Sequence, residues 1–455
     1  MRRTAFRSLV INIAALLLVS AGQGRTRPRY GDSVRAEQSV TVPSYEGAPD
    51  LLAGLVFETL VTTDDSGRLA PGLAQTWTSP NEGYTWDFAM RSGVEFHDGT
   101  PLTPLAAATA LSKTAVPGCK LRQGGNLVQF ECDAPQPNLP AVVAQPRYLV
   151  FSTAANGEAV GTGPFRVDKR DSGRFLLKTN DDYWAGRPYL DAIEIVTDRN
   201  PRDQITDFAF DRTDIIELSA DQFRRAQQDR IRSDVSRPAE TVYLVISSSK
   251  PELRDPRLRQ AISLAIDRSA IHNVIFQRQG EIAGGLLPNW MTGYAFLFSS
   301  AQDLERARQL RTEVGNIPPM TIAYNITDPS ERLIAERIAL NMRDIGVNMQ
   351  AVAGNGPAEM KLKRVALMSS DPATALNGVV ETLGIMPAAS SPTLESLYTN
   401  ERVAVKTFAA IPLVHLPKIT AMKGRVHNWK TTPIGAWHLE DIWVTPRTIT
   451  REGRP

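Results

Sequence analysis

The stretch LVFETLVTTDDSGRLAPGLAQTWTSPNEGYTWDFAMRSGVEFHDGTPLT, residues 55–103, is dense in local structural signals. Within it TWDFAM (85–90) alternates apolar and polar side chains at period two and stops at Arg91-Ser92-Gly93, which predicts a half-buried strand. Asp98-Gly99 makes a tight turn that glycine permits at positive φ. Thr103 places a capping hydroxyl before Pro104, so LAAATAL starts a helix. The paired acids Asp64-Asp65 adjoin Ser66 and Gly67, where Asp accepts local backbone hydrogen bonds; turn chemistry is expected there rather than acid/base catalysis.

Working outward, FRVDKR and RFLLKTN, joined by Asp171-Ser172-Gly173, predict a hairpin within 165–180. Gly161 and Gly163 just before it allow close backbone approach. Asp255-Pro256 caps a helix whose apolar face is Leu258, Ala261, Ile262, Ala265 and Ile266. Another helix starts near Ser330, carries Ile334, Ile338, Met342 and Ile345 on one face, and ends at Gly346 as the C′ residue. Strands, helices and hairpins mix without a regular βαβ period or an internal repeat, so the class is α/β with mixed sheets.

The only two cysteines, Cys119 and Cys132, bracket KLRQGGNLVQFE. A two-residue hairpin loop at Gly125-Asn126, with Gly first as a type II′ turn prefers, sets the cysteines opposite each other at a non-hydrogen-bonded pair. A cross-strand disulfide is the favoured reading over two buried thiols.

At 455 residues, 42% hydrophobic and 22% charged, the chain has material for about three domains or two large lobes, and disordered or disulfide-scaffold classes are excluded. Its N-terminus shows a basic MRRTAFR, an apolar run from Leu9 to Val19 broken only by Asn12, and small residues up to Ala21. This is a signal-peptide pattern over 1–21, too short for a membrane span and cleaved after Ala21 or kept as an anchor. No Cys follows to carry a lipid. Without those residues 48 basic face 49 acidic side chains, which gives no basic excess for nucleic acid.

Catalytic signatures are missing: no G-x-S-x-G, H-E-x-x-H, phosphate-binding G-x-x-x-x-G-K-[ST] or C-x-x-C occurs. His415, His427 and His438 are 12 and 11 residues apart rather than at helical i, i+4 spacing, so structural histidines are expected and no metal site is assigned. The seven Trp residues, from Trp77 to Trp443, are scattered; most belong to cores and a few could line a cleft.

Taken in order, Glu58 in E-x-L, Pro71 to Ala74 in P-x-L-A, Trp77, and Phe96 to Pro101 (FHDGTP) resemble the signature region of the extracytoplasmic solute-binding protein family 5, the dipeptide/oligopeptide/nickel-binding proteins of ABC importers. GTGPFRV (161–167), NDDYWAGRPYLDAIEI (180–195), DPRLRQAISLAIDRSAI (255–271), LERARQL (304–310), IAERIALNMRDIGVNMQ (334–350) and IPLVHLPKITAMKGRVHNW (411–429) continue the resemblance along nearly the whole chain.

The resemblance implies a bilobal periplasmic binding protein-like fold (type II, with an extra inserted domain) hinged between lobes. Lobe I would comprise 22–45, 150–243 and 420–455, the inserted small domain 46–149, and lobe II 244–419. It implies an exported, monomeric, periplasmic protein without enzymatic activity or cofactor, which delivers a peptide or similar polar solute to permease subunits; a degenerate relative acting as an interaction or chaperone-like module is the alternative. Where peptide-binding members pair an Asp with the peptide's amino terminus, the comparable stretch VALMSSDPATAL (365–376) has one acid, Asp371, and no Trp, so Asp371 is either that counter-charge or only the cap before Pro372. By segment position Tyr45, Glu46, Tyr243, Ser247 and Trp290 complete the expected ligand contacts. SPTLESLYTNERVAVKTFAAIPL (391–413) is shorter than in typical members, consistent with a smaller ligand or a lost transport role.

Overall fold

The structure, a computed structural model, describes residues 28–38 and 52–446 except 155–156, 248, 355, 387–390 and 392. The N-terminal stretch 1–21, where the sequence suggests a signal peptide, and Tyr45 and Glu46 lie outside the described residues.

The first strand, β1 (Ser33–Glu37), leads to a unit with its own core. That unit holds a small hairpin, β2 (Val61–Thr63) and β3 (Leu69–Pro71), and a four-stranded antiparallel sheet of β4 (Ala74–Thr78), β5 (Thr85–Met90), β6 (Cys119–Gly124) and β7 (Leu127–Cys132). Helix α1 (Pro104–Leu111) covers it, capped as expected by the Thr103 hydroxyl, which accepts from the Ala106 N–H. Alternate residues Phe88 and Met90 of β5 turn inward onto Val128, Phe130 and Leu111. In the β6–β7 hairpin Gly125 has φ +58°, Gly124 faces Leu127, and Cys119 faces Cys132 with Cα atoms 3.9 Å apart in a disulfide. This core runs from Leu60 to Val150.

The hairpin β8 (Phe165–Asp171) and β9 (Arg174–Thr179) forms as the sequence predicts and begins the main sheet. Next come β10 (Ala192–Val196), α2 (Pro201–Ala209), β11 (Ile215–Glu217), α3 (Ala220–Gln228) and the 14-residue β12 (Ser233–Ile246). The C-terminal part adds α4 (Pro256–Ala265), β13 (Glu281–Ile282), α5 (Leu304–Glu313), β14 (Met320–Tyr324), α6 (Pro329–Arg343), β15 (Met349–Ala353), β16 (Met360–Ala366), α7 (Pro372–Leu383), α8 (Leu394–Lys406) and the 13-residue β17 (Ala410–Met422). Helix α6 closes on a Schellman motif: Val347 N–H reaches the Met342 carbonyl, Gly346 N–H reaches that of Arg343, and Gly346 sits at φ +71°.

The sheet runs β8-β9-β10-β1-β11-β17-β12-β16-β14-β15, with β13 on the free side of the far half of β17. It mixes parallel pairs (β1 with β10 and β11; β14 with β15 and β16) and antiparallel ones, as the α/β reading requires. Two sets of cores flank it. One gathers Val34, Phe165, Ile193, Ile215 and Met422, with Ile419 and Ala421 in a satellite; the other gathers Val242, Leu244, Ile262, Ile338 and Leu413 on one face, with Tyr243, Leu286, Val379 and Leu397 on the opposite face.

Candidate functional site

Among the described residues, only β12 and β17 run unbroken from one set of cores to the other. Their ladder pairs 233–235 with 419–421, then breaks register at Pro238 opposite Pro417 and at Glu240 opposite Leu416, and again between Val242 and Tyr243. Proline donates no ladder hydrogen bond and bulges bend strands, so 236–240 and 416–418 form a built-in bend between two packed bodies.

Across the gap the β2–β3 tip meets the second body. Asp64 holds the tip, accepting from the N–H groups of Ser66 (2.9 Å) and Arg68 (3.0 Å), and the hydrogen bond from the Ser66 hydroxyl pulls its carboxyl below the usual range. Gly67 then lies against Ser370 and Pro433, so close that a Cβ there would fall 2.7 Å from Ser370 Oγ. Asp65 pairs with Lys430 at 3.0 Å, and Arg147 with Glu381 of α7 at 3.1 Å.

Asp371 sits beside this meeting point as the N-cap of α7: its Oδ1 accepts the Thr374 N–H at 2.8 Å, and its own N–H donates to Ser369 Oγ. Trp290 binds the bend itself, its Nε1 donating to the Pro238 carbonyl at 2.7 Å with the Arg237 guanidinium 5.4 Å over its ring. Tyr243 is fully buried and its hydroxyl donates to the Leu286 carbonyl at 2.7 Å. Ser247 follows the far end of β12, nine residues and thus about 30 Å of strand beyond Pro238; its N–H donates to the Glu359 carbonyl and its hydroxyl accepts the Ser249 N–H. The bend therefore collects Trp290, with Tyr243 packed beneath the same segment, whereas Ser247 is carried away from it.

Two buried carboxylates have roles that the sequence does not reveal. Glu401 accepts from the N–H groups of Leu286 (2.6 Å) and Leu287 (3.0 Å) and from the Tyr294 hydroxyl (2.8 Å), and so anchors the segment that carries Trp290. Glu58 accepts from Thr162 Oγ1 (2.7 Å), Tyr183 Oη (2.9 Å) and Trp184 Nε1 (3.1 Å), while Arg91 stacks 3.9 Å over Trp184. Burial pushes the Glu58 carboxyl up to about 7 despite those donors. His97 Nε2 lies 2.9 Å from the Gly163 carbonyl, and a Cβ on Gly161 or Gly163 would collide with the carbonyls of Val56 or Leu55. The signature blocks at 55–58, 96–101, 161–167 and 180–184 thus meet in one structural knot, which explains their association without a ligand. Among the described residues no three of His, Cys, Asp and Glu gather in a way that could hold a metal ion.

Two bodies joined by a bent pair of strands, with contacts across the gap, define the bilobal class of binding proteins. Residues 68–366 match the family model for bacterial extracellular solute-binding proteins, family 5 (middle region), and the chain belongs to that family. It is 25% identical over 347 residues to the nickel-binding periplasmic protein of Escherichia coli, covering 66% of each chain, and 23% identical over 421 residues to the dipeptide-binding protein of the same organism, covering 77% of this chain and 76% of that one. Among solved structures it resembles Staphylococcus aureus NikA in complex with Ni(L-His)2 (TM-score 0.80, 16% identity, 91% of this chain and all of that one) and Helicobacter pylori DppA in complex with the peptide STSA (TM-score 0.79, 17% identity, 92% and 99%). These relatives are solute-binding proteins, not enzymes.

Proposed function

We propose that this chain is an exported receptor of an ABC importer that captures a peptide or similar small polar solute between its lobes and presents the closed form to membrane permeases. The observation that carries this reading is the double crossing at 236–240 and 416–418, together with the β2–β3 tip seated on the loop before α7. Family membership and the periplasmic relatives support export and the absence of catalysis. The separate cores support an inserted unit near 46–149 between parts of lobe I, with both crossings a few residues before 243 and 419.

Trp290 and Asp371 are the proposed contacts best placed for a ligand, and Tyr243 acts beneath them through Leu286. Asp371 commits Oδ1 to the α7 cap, and its carboxylate has a second oxygen, Oδ2, with which it could accept from a peptide's ammonium. Ser247, Tyr45 and Glu46 remain proposed contacts from segment position alone. The test is native mass spectrometry of gently purified full chain, followed by thermal shift with short peptides and nickel chelates. A ligand at a hundredfold excess over Kd adds about 2.7 kcal/mol of stability. An empty chain that no such solute stabilises would refute the reading.

A further inference from the structure

Besides the two bent strands, a small hairpin near the C-terminus touches both bodies. It consists of β18 (Lys430–Thr431) and β19 (Trp437–His438), with Lys430 facing His438 and Thr431 facing Trp437. Trp429 and Trp437 pack on the first core, edge to face with ring centroids 5.6 Å apart. At the turn between the strands, the half-buried Ile434 packs instead against the far core that holds Tyr243, Leu286 and Val379.

The base of the hairpin is fixed to the crossing strands on the first-body side of their bend. Asp234 of β12 faces Thr420 of β17 there, one rung before the register breaks. Asp234 Oδ2 accepts from Trp429 Nε1 at 3.1 Å and from the Thr431 hydroxyl at 2.8 Å, and Trp437 Nε1 donates to Thr420 Oγ1 at 3.0 Å. Both indoles are thus held by a polar partner as well as by packing, and the base moves with the first body.

The turn is equally well fixed. The Thr432 N–H donates to the Ala436 carbonyl at 3.0 Å, the Thr432 hydroxyl accepts the Ala436 N–H at 3.1 Å, and Gly435, at φ +73°, donates its N–H to the Thr432 carbonyl at 2.8 Å. Gly435 lies so close to Lys418, within the bent segment 416–418, that a Cβ there would fall 2.9 Å from the lysine Cβ. Pro433 borders Gly67, and Lys430 pairs with Asp65 at 3.0 Å, so the turn and the β2–β3 tip stand side by side.

We propose that this hairpin is a latch laid across the hinge: it travels with the first body, and Ile434 leaves the far core when the lobes part. With its base held on one side of the bend and its turn closed by three hydrogen bonds, the hairpin has no slack, so opening at 236–240 and 416–418 withdraws the isoleucine. The contact is apolar, and salt does not screen it as it screens the exposed Arg147–Glu381 pair. A half-buried isoleucine raises the ratio of closed to open molecules by about fivefold, in the absence of any solute. The inference rests on the bilobal capture reading but on no particular solute.

The test uses the full chain carrying Arg147→Cys and Glu381→Cys, whose native side chains meet across the gap at 3.1 Å. The two natural cysteines are bonded to each other and take no label. With nitroxides at both new sites and the protein dialysed free of solute, closed molecules give a dipolar-broadened spectrum and open ones a sharp spectrum. Ile434→Ser is expected to lower the closed-to-open ratio about fivefold, Ile434→Ala to act in the same direction should serine disturb the turn, and Ile434→Leu to stay near the wild type. A mixture of both spectra that neither Ile434→Ser nor Ile434→Ala changes, or that Ile434→Leu lowers as much as they do, would overturn the latch and leave the hinge standing. A fully broadened spectrum in every variant would show that the lobes do not part, and would overturn the capture reading together with the latch.

Discussion

Glu58 concentrates the residue-scale physics of this protein. Its carboxyl is buried and ringed by the hydroxyls of Thr162 and Tyr183 and the Trp184 indole N–H, yet the loss of water outweighs those donors and raises its pKa to about 7. A carboxyl raised above its unfolded value of 4.5 contributes stability that is fully present below pH 4.5 and is lost as pH climbs through 7. The change amounts to about 3 kcal/mol. Urea unfolding between pH 4.5 and 8 is therefore expected to show the wild type losing that amount relative to Glu58→Gln, whose amide does not titrate; parallel pH profiles would show that Glu58 is not the titrating group.

Elements whose geometry is decided by near neighbours along the chain are legible in the sequence. Thr103-Pro104, Asp255-Pro256 and Gly346 act on backbone groups a few residues away, and the helices they bound form there. The β6–β7 hairpin follows equally from one two-residue turn, so the disulfide can be paired by counting. Reducing it is predicted to cost the unit with the Leu60–Val150 core about 3 kcal/mol on the chain-entropy model, read as faster hydrogen exchange confined to 60–150. Exchange that stays unchanged on reduction would place the stability of that unit in its core instead. Convergence over long separations leaves no such trace. Glu401 carries no local signal, since its partners lie 107 to 115 residues away. Segment position suggests Trp290 as a contact, but its bond to Pro238 depends on where β12 bends. The spacing of His415 speaks only to metal binding, and nothing local announces its buried partner Thr241, 174 residues away, whose Oγ1 lies 2.6 Å from its Nδ1. Asp371 fits either cap or counter-charge by sequence, and the structure shows the cap.

For the whole molecule, the question is what holds the lobes together. The Arg147–Glu381 ion pair across the gap is a poor candidate, because both partners are 41–60% exposed; Asp65–Lys430, equally exposed, ties the β2–β3 tip to the segment of Trp429 and Trp437, which packs on the first core. Such pairs contribute at most about 1 kcal/mol each and weaken with salt. A captured solute must then supply most of the bias toward the closed form, since a ligand shifts such an equilibrium only by its differential affinity. The Gly67–Ser370 contact offers a way to uncouple closure from ligand. A Cβ at Gly67 falls 2.9 Å from Ser370 Cβ, and a shift of about 1 Å gives the usual disulfide separation of about 3.8 Å. Gly67 sits at φ +80°, which costs a cysteine about 1–2 kcal/mol, but the strain falls on an exposed tip. The oxidised Gly67→Cys/Ser370→Cys protein is predicted to exchange interlobe ligand at least ten times more slowly than the reduced form, with reductant restoring the wild-type rate. If the crosslinked protein exchanged ligand freely, the solute would not lie beneath the contact between the β2–β3 tip and α7.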